Sequence, residues 1–165
     1  MSDIANASAL SWCGAGRYNI GNEASPYVAG SGRKFLVRHL NGAPRRIADF
    51  GCWTGRNMSV LEGLVGEQDE VYGVDGLWAR EAVAELHSTY PHVRLAEAVL
   101  HDLPFSDRHF SAALCWRVLH NITSVSLLMS TLHEFSRVLA HGAPLLVAVR
   151  RHEEGSMDET PVLQT

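Results

Sequence analysis

Short apolar runs alternate with helical patterns along most of the chain. The runs are bounded by turn residues and predict five strands, at about 46–50, 71–75, 93–98, 110–116 and 144–149. Between them, apolar residues recur at three- and four-residue steps, which indicates helices, the longest from about Ser124 to Ala140. Strands that alternate with helices imply right-handed crossovers. The predicted fold class is therefore α/β, a Rossmann-like doubly wound parallel sheet of at least five strands flanked by helices.

The two ends of the chain lack this alternation. Residues 1–26 are rich in Gly, Asn, Ser and Ala, and we interpret them as an irregular N-terminal segment or a lid. A helix is expected from Tyr27 to Leu40, at the start of a domain that spans residues 27–150. Residues 151–165 are predicted to form a loose polar tail.

Composition narrows the classes of partner and compartment. A formal net charge of −4 gives no positive potential that would attract polyanions, so no nucleic acid is expected as a partner. Cys13, Cys52 and Cys115 are an odd number without a C-x-x-C pair, which argues against a disulfide framework or zinc site and favours a reducing cytosol. No signal peptide is recognised, and no run reaches the roughly 18–20 apolar residues of a membrane span. The sequence predicts a cytoplasmic protein without a metal.

The turn after the first predicted strand is the first candidate for chemistry. Ligands of open α/β sheets bind beyond the carboxyl ends of the strands. Gly51 allows a sharp turn there, and Gly55 allows the next helix to approach a ligand. Asp75 ends the second strand 20 residues after Gly55, where an acid commonly binds ribose hydroxyls. A tight turn without a ligand is the alternative for the glycines alone, and their spacing does not fit the G-x-G-x-x-G of dinucleotide sites.

Four segments, in order along the chain, resemble motifs of class I S-adenosylmethionine-dependent methyltransferases. They are Asp49-Phe-Gly-Cys-Trp-Thr-Gly55, similar to D-x-G-x-G-x-G; Val71-Tyr-Gly-Val-Asp75; His101-Asp-Leu-Pro-Phe-Ser-Asp107 with the strand after it, similar to D-[LA]-P-F-x-D-x-x-F-D; and Leu132–Gly142, similar to L-x-E-x-x-R-V-L-K-P-G. The resemblance covers about Arg46 to Val149. It implies in-line methyl transfer from S-adenosyl-L-methionine to a small-molecule acceptor.

The resemblance also implies a set of cofactor-binding residues. They are Asp49, Gly51, Cys52 and Gly55 around the methionine part; Asp75 at the ribose hydroxyls; Gly76 and Leu77 beside the adenine; Asp102 and the backbone of Leu103 at its amino group and ring nitrogen; and Cys115 and Trp116 at the sulfonium and the acceptor entrance. Asp102 is alternatively a helix or turn cap. Cys115 is alternatively a small buried hydrophobe.

No catalytic residue is assigned. Alignment of donor and acceptor alone supplies roughly 7–11 kcal/mol, so a base is needed only if the acceptor loses a proton early. His120, just past the fourth strand, is the one histidine placed to act as that base, with an ordinary structural histidine as the alternative. The Asp-Leu-Pro-Phe segment resembles the branch of the family that mostly methylates metabolites.

Two features depart from the family pattern. Trp53 stands where the family usually has its middle glycine, and its indole either stands outward over the pocket or fills the space for the amino acid end of the cofactor. Sixteen residues follow Val149, too few for the helix and antiparallel hairpin that normally continue the sheet. The fifth strand is then an exposed edge that can pair with a second copy in a homodimer, unless the chain is truncated or naturally minimal. Both departures favour the alternative function, a catalytically impaired, methyltransferase-like binding or regulatory protein.

Overall fold

One six-stranded sheet forms the centre of the computed structural model, which describes residues 24–40, 44–76, 80–149 and 162–164. Its strands are β1 Arg46–Phe50, β2 Glu70–Asp75, β3 Arg94–Glu97, β4 Ala112–Trp116, β5 Leu145–Ala148 and β6 Val162–Gln164. They lie in the order β3-β2-β1-β4-β5-β6; β1 to β5 are parallel, and β6 is antiparallel to β5. The predicted parallel, doubly wound sheet is confirmed.

Helices connect these strands. They are α1 Arg33–His39, which continues a π-helical turn at Val28–Gly32; α2 Met58–Glu62; α3 Arg80–Thr89; and α4 Val125–Val138; a short 3-10 turn, Leu119–Asn121, follows β4. The start of α4 agrees with the prediction because the Ser124 hydroxyl caps the helix and accepts a hydrogen bond from the Leu127 N–H at 3.3 Å.

Apolar side chains cover both faces of the sheet. Neighbouring residues of a strand point to opposite faces, so Ile47 and Ala48 belong to two different clusters. The first cluster includes Leu36 of α1 and side chains of α2. The second includes α4, where Phe135 stacks on Phe50 with ring centroids 4.6 Å apart. Burial on both faces explains why the strands lack polar alternation.

The fifth strand is not the exposed edge that the sequence predicted. β6 pairs with β5, and Leu163 lies opposite Leu146. The prediction of a loose tail is therefore wrong for Val162–Gln164, because this short segment takes up the free backbone edge of β5. A complete antiparallel hairpin does not occur in the described ranges. The homodimer stays a prediction, but it loses the edge on which it was based.

Candidate functional site

The order of the strands reverses between β1 and β4, which lie side by side while the chain reaches β2 and β3 on one side and β5 on the other. Ligands of such sheets bind in the crevice beyond the carboxyl ends of the strands at this reversal. The segments that follow β1, β2, β3 and β4 therefore form the candidate site.

The glycine loop, residues 51–57, is fixed against its neighbours. The N–H groups of Gly51 and Cys52 donate to the Val74 carbonyl at 2.7 and 3.2 Å, which joins the end of β1 to the end of β2. Gly51 has φ +77°, and a Cβ there would lie 2.3 Å from Cγ2 of Val118, in the segment after β4. Gly55 has φ +74°, and a Cβ there would lie 2.2 Å from a methyl of Leu86. Both positions require glycine, for conformation and for space.

Asp75 joins the segments that follow three strands. Its Oδ2 accepts a hydrogen bond from the Trp53 N–H of the glycine loop at 2.9 Å, and the side chain is buried. Its carbonyl accepts from the Ala98 N–H, just past β3, at 3.1 Å. A Cβ on Gly76 would lie 3.0 Å from the Ala98 carbonyl oxygen. The ends of β1, β2 and β3 therefore converge, as the sequence predicted.

Asp49 and Asn57 place unpartnered acceptors beneath the glycine loop. Both side chains are buried, and the Asn57 amide donates to Asp49 Oδ2 at 3.4 Å. Asp49 Oδ1 and Asn57 Oδ1 are also buried and accept no hydrogen bond from the part of the chain that the structure describes. Burial raises the pKa of Asp49 to about 7; the Asn57 hydrogen bond opposes this shift, and the nearby Asp75 carboxylate adds to it. Since an unmet buried acceptor costs about 1–3 kcal/mol, these oxygens suit a ligand that brings N–H donors, as an amino acid ammonium does.

In the segment after β3, the structure places Val99 beside Gly76 and Asp102 in an exposed turn. Asp102 is exposed, and its N–H closes a turn on the Val99 carbonyl at 3.1 Å, in agreement with the alternative of a turn residue. Val99 lies beside Gly76, with Cγ1 3.5 Å from the place of a Cβ there, and is 48% exposed. Sequence reasoning missed Val99, although it follows the strand almost directly, where ligand contacts are expected.

The backbone of Leu103 is used within the protein. Its N–H donates to Glu134 Oε2 at 3.0 Å and its carbonyl accepts from Arg137 Nη2 at 3.0 Å. Arg137 also holds both oxygens of Glu134 at 2.8 Å, which lowers the pKa of Glu134 to about 2. A carboxylate on α4 already occupies that donor, so the contact between the Leu103 N–H and an adenine nitrogen stays a prediction that requires this hydrogen bond to open. Glu134 and Arg137 therefore hold the segment after β3 in place through the backbone of Leu103.

The thiols of the site are structural. Cys115 is fully buried in the second cluster, and burial raises the pKa of its thiol, in agreement with the alternative of a small hydrophobe. Cys52 packs in the first cluster; a Cβ on Gly73 would lie 3.0 Å from its sulfur, and burial raises the pKa of this thiol too. Only the backbone at these two positions remains for ligand contacts.

The remaining predicted residues are Trp116, His120 and Leu77. Trp116 lies on the opposite face to Cys115, in the first cluster, and stacks on Tyr27 with ring centroids 5.6 Å apart. His120 is partly buried in the 3-10 turn past β4. Leu77 lies outside the described residues, as does nearly all of the predicted lid, residues 1–23.

Trp53 adopts φ +45°, in the left-handed region that glycine prefers. A side chain there costs about 1–2 kcal/mol, so the sequence of this loop conflicts with its conformation. If the indole fills the space for the amino acid end of the cofactor, Trp53→Gly should keep or improve the affinity for S-adenosylhomocysteine because it clears that space, while relief of the strain should raise the stability of the fold. Calorimetric titration of both proteins measures the change, and thermal unfolding controls for the fold. An affinity loss of about tenfold or more would show instead that the indole contributes contacts.

The described residues contain no group of three or more His, Cys, Asp and Glu side chains placed to hold a metal ion. None of their helices has both the length and the apolar character needed to cross a bilayer.

Comparison with known proteins gives one family and one fold. Residues 47–142 match the family described as methyltransferase domain. A curated relative, the 2-phytyl-1,4-naphtoquinone methyltransferase of Trichormus variabilis, is 34% identical over 99 residues. This match covers 58% of the chain and 42% of the relative, so the chain spans well under half of the length of that protein.

Solved structures share the fold. An S-adenosylmethionine-dependent methyltransferase of Clostridium acetobutylicum superposes with a TM-score of 0.64 at 19% identity, over 76% of this chain and 51% of that one. An amino pentose methyltransferase of Micromonospora echinaspora, solved with S-adenosylmethionine bound, gives 0.61 at 22% identity, over 79% and 52%. This chain spans about half of each.

Proposed function

Because the chain belongs to the methyltransferase-domain family, which matches more than half of it, we propose that it is an S-adenosylmethionine-dependent methyltransferase acting on a small-molecule acceptor. The main support is the convergence of Gly51, Asp75 and Ala98 at the carboxyl ends of β1, β2 and β3, with the unpartnered oxygens of Asp49 and Asn57 below. The curated relative, named for a quinone, favours a small molecule as acceptor.

Each part of the cofactor has a place in this proposal. Asp49 and Asn57 would accept hydrogen bonds from the methionine ammonium, and the backbone of Gly51, Cys52 and Gly55 would border that end. The ribose hydroxyls would donate to Asp75, which already holds the glycine loop through the Trp53 N–H. Gly76, Leu77 and Val99 would flank the adenine, with Asp102 as the proposed acceptor for its amino group. Cys115, through its backbone, and Trp116 would border the acceptor.

The chemistry requires little beyond alignment. When bound, S-adenosylmethionine would supply an electrophilic methyl group on a sulfonium, and the acceptor atom would bond to that carbon as the carbon–sulfur bond breaks. The protein's part is to hold the two molecules in line, which contributes roughly 7–11 kcal/mol. The proton of an acceptor hydroxyl or amine would go to water or to His120, the one base candidate past β4.

Two assays test this proposal. Calorimetric titration with S-adenosylmethionine and S-adenosylhomocysteine should show saturable binding, and NADH should show none. Mass spectrometry should then detect methylation of the reduced, dihydroxy form of 2-phytyl-1,4-naphthoquinone, chosen from the name of the relative. A folded protein that binds neither sulfur compound would reject the enzyme proposal. It would favour the impaired, methyltransferase-like binding protein, an alternative supported by the strained Trp53.

The raised pKa of Asp49 predicts a pH-dependent stability. Because the folded protein holds this proton up to about pH 7 while the unfolded chain loses it near the ordinary value of 3.8, the free energy of unfolding falls as the pH rises between these values. Denaturant titrations over this range should show the stability of the wild type relative to Asp49→Asn falling as the pH rises, since groups with lowered pKa values, such as Glu134, act alike in both proteins.

The same ionisation should affect the ligand. The cationic amino group of S-adenosylhomocysteine favours ionised Asp49, so its affinity should rise as the pH increases through about 7 and level off above. Asp49→Asn should show little of this rise. Equal pH profiles in both proteins would remove Asp49 from the ammonium site.

A further inference from the structure

The two hydrogen-bonding groups assigned to the adenine, in the segment after β3, are poorly placed to read the edge of a base. A protein reads a base by hydrogen bonds to its ring nitrogens and exocyclic group, and by contacts with its faces. The first of these groups, the Leu103 N–H, already donates to Glu134 Oε2 at 3.0 Å. Arg137 holds both oxygens of Glu134 at 2.8 Å, so the carboxylate is fixed on this donor from its other side.

The second group, the carboxylate of Asp102, belongs to an exposed residue. The Asp102 N–H closes a turn on the Val99 carbonyl at 3.1 Å, and the two residues form an isolated antiparallel bridge. A hydrogen bond made at an exposed position replaces one to water, so its net contribution is small. An Asp102 carboxylate that accepts from the adenine amino group therefore adds little selectivity for that group.

Val99 instead offers an apolar contact beside the end of β2. Its Cγ1 lies 3.5 Å from the place of a Cβ on Gly76, and the side chain is 48% exposed although it is apolar. The pairing of β2 with β3 fixes this position, since Glu97 lies opposite Asp75 and Val99 follows two residues later. A valine methyl packs on any planar ring, and it neither donates nor accepts a hydrogen bond.

Building on the proposed function, we propose that the site holds the cofactor as a purine nucleoside without reading the exocyclic group of the base, so that it takes an inosine form of the cofactor as well as the adenosine form. Adenine has an amino donor and an acceptor nitrogen at this edge, whereas hypoxanthine has a carbonyl oxygen and an N–H. A site built on hydrogen bonds to such groups rejects the wrong analogue by large factors, and an apolar contact does not. Val99 is the residue that determines this relaxed specificity.

The test compares S-adenosylhomocysteine with S-inosylhomocysteine, by calorimetric titration of the full chain. The wild type should bind the two with affinities within about fivefold of each other. Val99→Asp places a carboxylate beside the base, where it accepts from the adenine amino group and repels the hypoxanthine oxygen. The ratio of affinities should then move about tenfold or more toward the adenosine compound. Val37→Asp, the same change at a valine of α1 that is 51% exposed, is the matched control and should leave the ratio unchanged.

The outcomes separate this inference from the proposed function. Wild-type binding of S-inosylhomocysteine that is more than about fivefold weaker than that of S-adenosylhomocysteine would overturn the relaxed specificity and leave the methyltransferase proposal standing. An unchanged ratio in a folded Val99→Asp would overturn the role of Val99. Should this variant fail to fold, as thermal unfolding would show, the wild-type ratio decides alone. A folded wild type that binds neither compound would reject the proposed function and the inference with it.

Discussion

Gly51→Ala is expected to destabilise the protein by about 2–5 kcal/mol. The residue has φ +77°, where a side chain costs about 1–2 kcal/mol, and its Cβ would lie 2.3 Å from a methyl of Val118. Relief of such overpacking costs typically about 1–3 kcal/mol more. Denaturant unfolding of wild type and variant measures the loss, and a change below about 1 kcal/mol would contradict the described contact between the segments after β1 and β4.

A double variant separates the two contributions. Val118→Ala removes the methyl groups that a new Cβ would meet, so Gly51→Ala should cost less in that background, by about the overpacking share of 1–3 kcal/mol. The cost of placing a side chain at positive φ should remain in the double variant. Gly142→Ala is the matched control, since it also has positive φ, +73°, but has open space around it. It should therefore lose only about 1–2 kcal/mol.

Asp75→Ala is expected to weaken S-adenosylhomocysteine binding about ten- to a hundredfold. The carboxylate would lose hydrogen bonds from the ribose hydroxyls, each worth about 1.5–3 kcal/mol when one partner is charged. Calorimetric titration gives the affinity, and thermal unfolding shows whether the fold persists. Asp75→Asn retains an oxygen for the Trp53 N–H and should lose less than Asp75→Ala.

Glu97→Ala is the matched control for Asp75. Glu97 lies directly opposite Asp75 in the register of β2 and β3, at the end of the neighbouring strand, and is exposed. Glu97→Ala removes one negative charge, as Asp75→Ala does, from the same end of the sheet. It should leave the affinity for S-adenosylhomocysteine within about twofold of the wild type. Equal losses in Asp75→Ala and Glu97→Ala would indicate a general electrostatic effect and contradict the ribose contact.

The apolar pattern predicted the sheet well because burial on both faces leaves a strong signal. The first predicted strand, Arg46–Phe50, matches β1 in both bounds, where the conformation of Gly51 ends it. β6 was not predicted, since three residues are too short for a pattern and their pairing with β5 depends on a distant strand. The alternation of side chains along a strand could also have corrected one prediction. Cys115 and Trp116 are adjacent in β4 and point to opposite faces, so both side chains cannot border one pocket.

Sequence reasoning reaches the parts of the candidate site that local geometry determines, but not the contacts that residues distant in the chain make with them. Gly51 directly follows β1 and Asp75 ends β2, and hydrogen bonds from Gly51 to Val74 and from Trp53 to Asp75 join these two strand ends. The Leu103 N–H is instead taken by Glu134, 31 residues away in the chain, which no local motif reveals. The position of Val99 beside Gly76 depends on the pairing of β2 with β3, which no local motif reveals either.

Hydrogen–deuterium exchange with and without S-adenosylhomocysteine tests most directly whether the strand ends form one nucleoside site. The ligand should slow amide exchange in residues 51–57, in 74–76 and in 97–100 together, and leave the β5–β6 pair unchanged. Protection of only one of these segments, or of none of them at saturating ligand, would contradict the account.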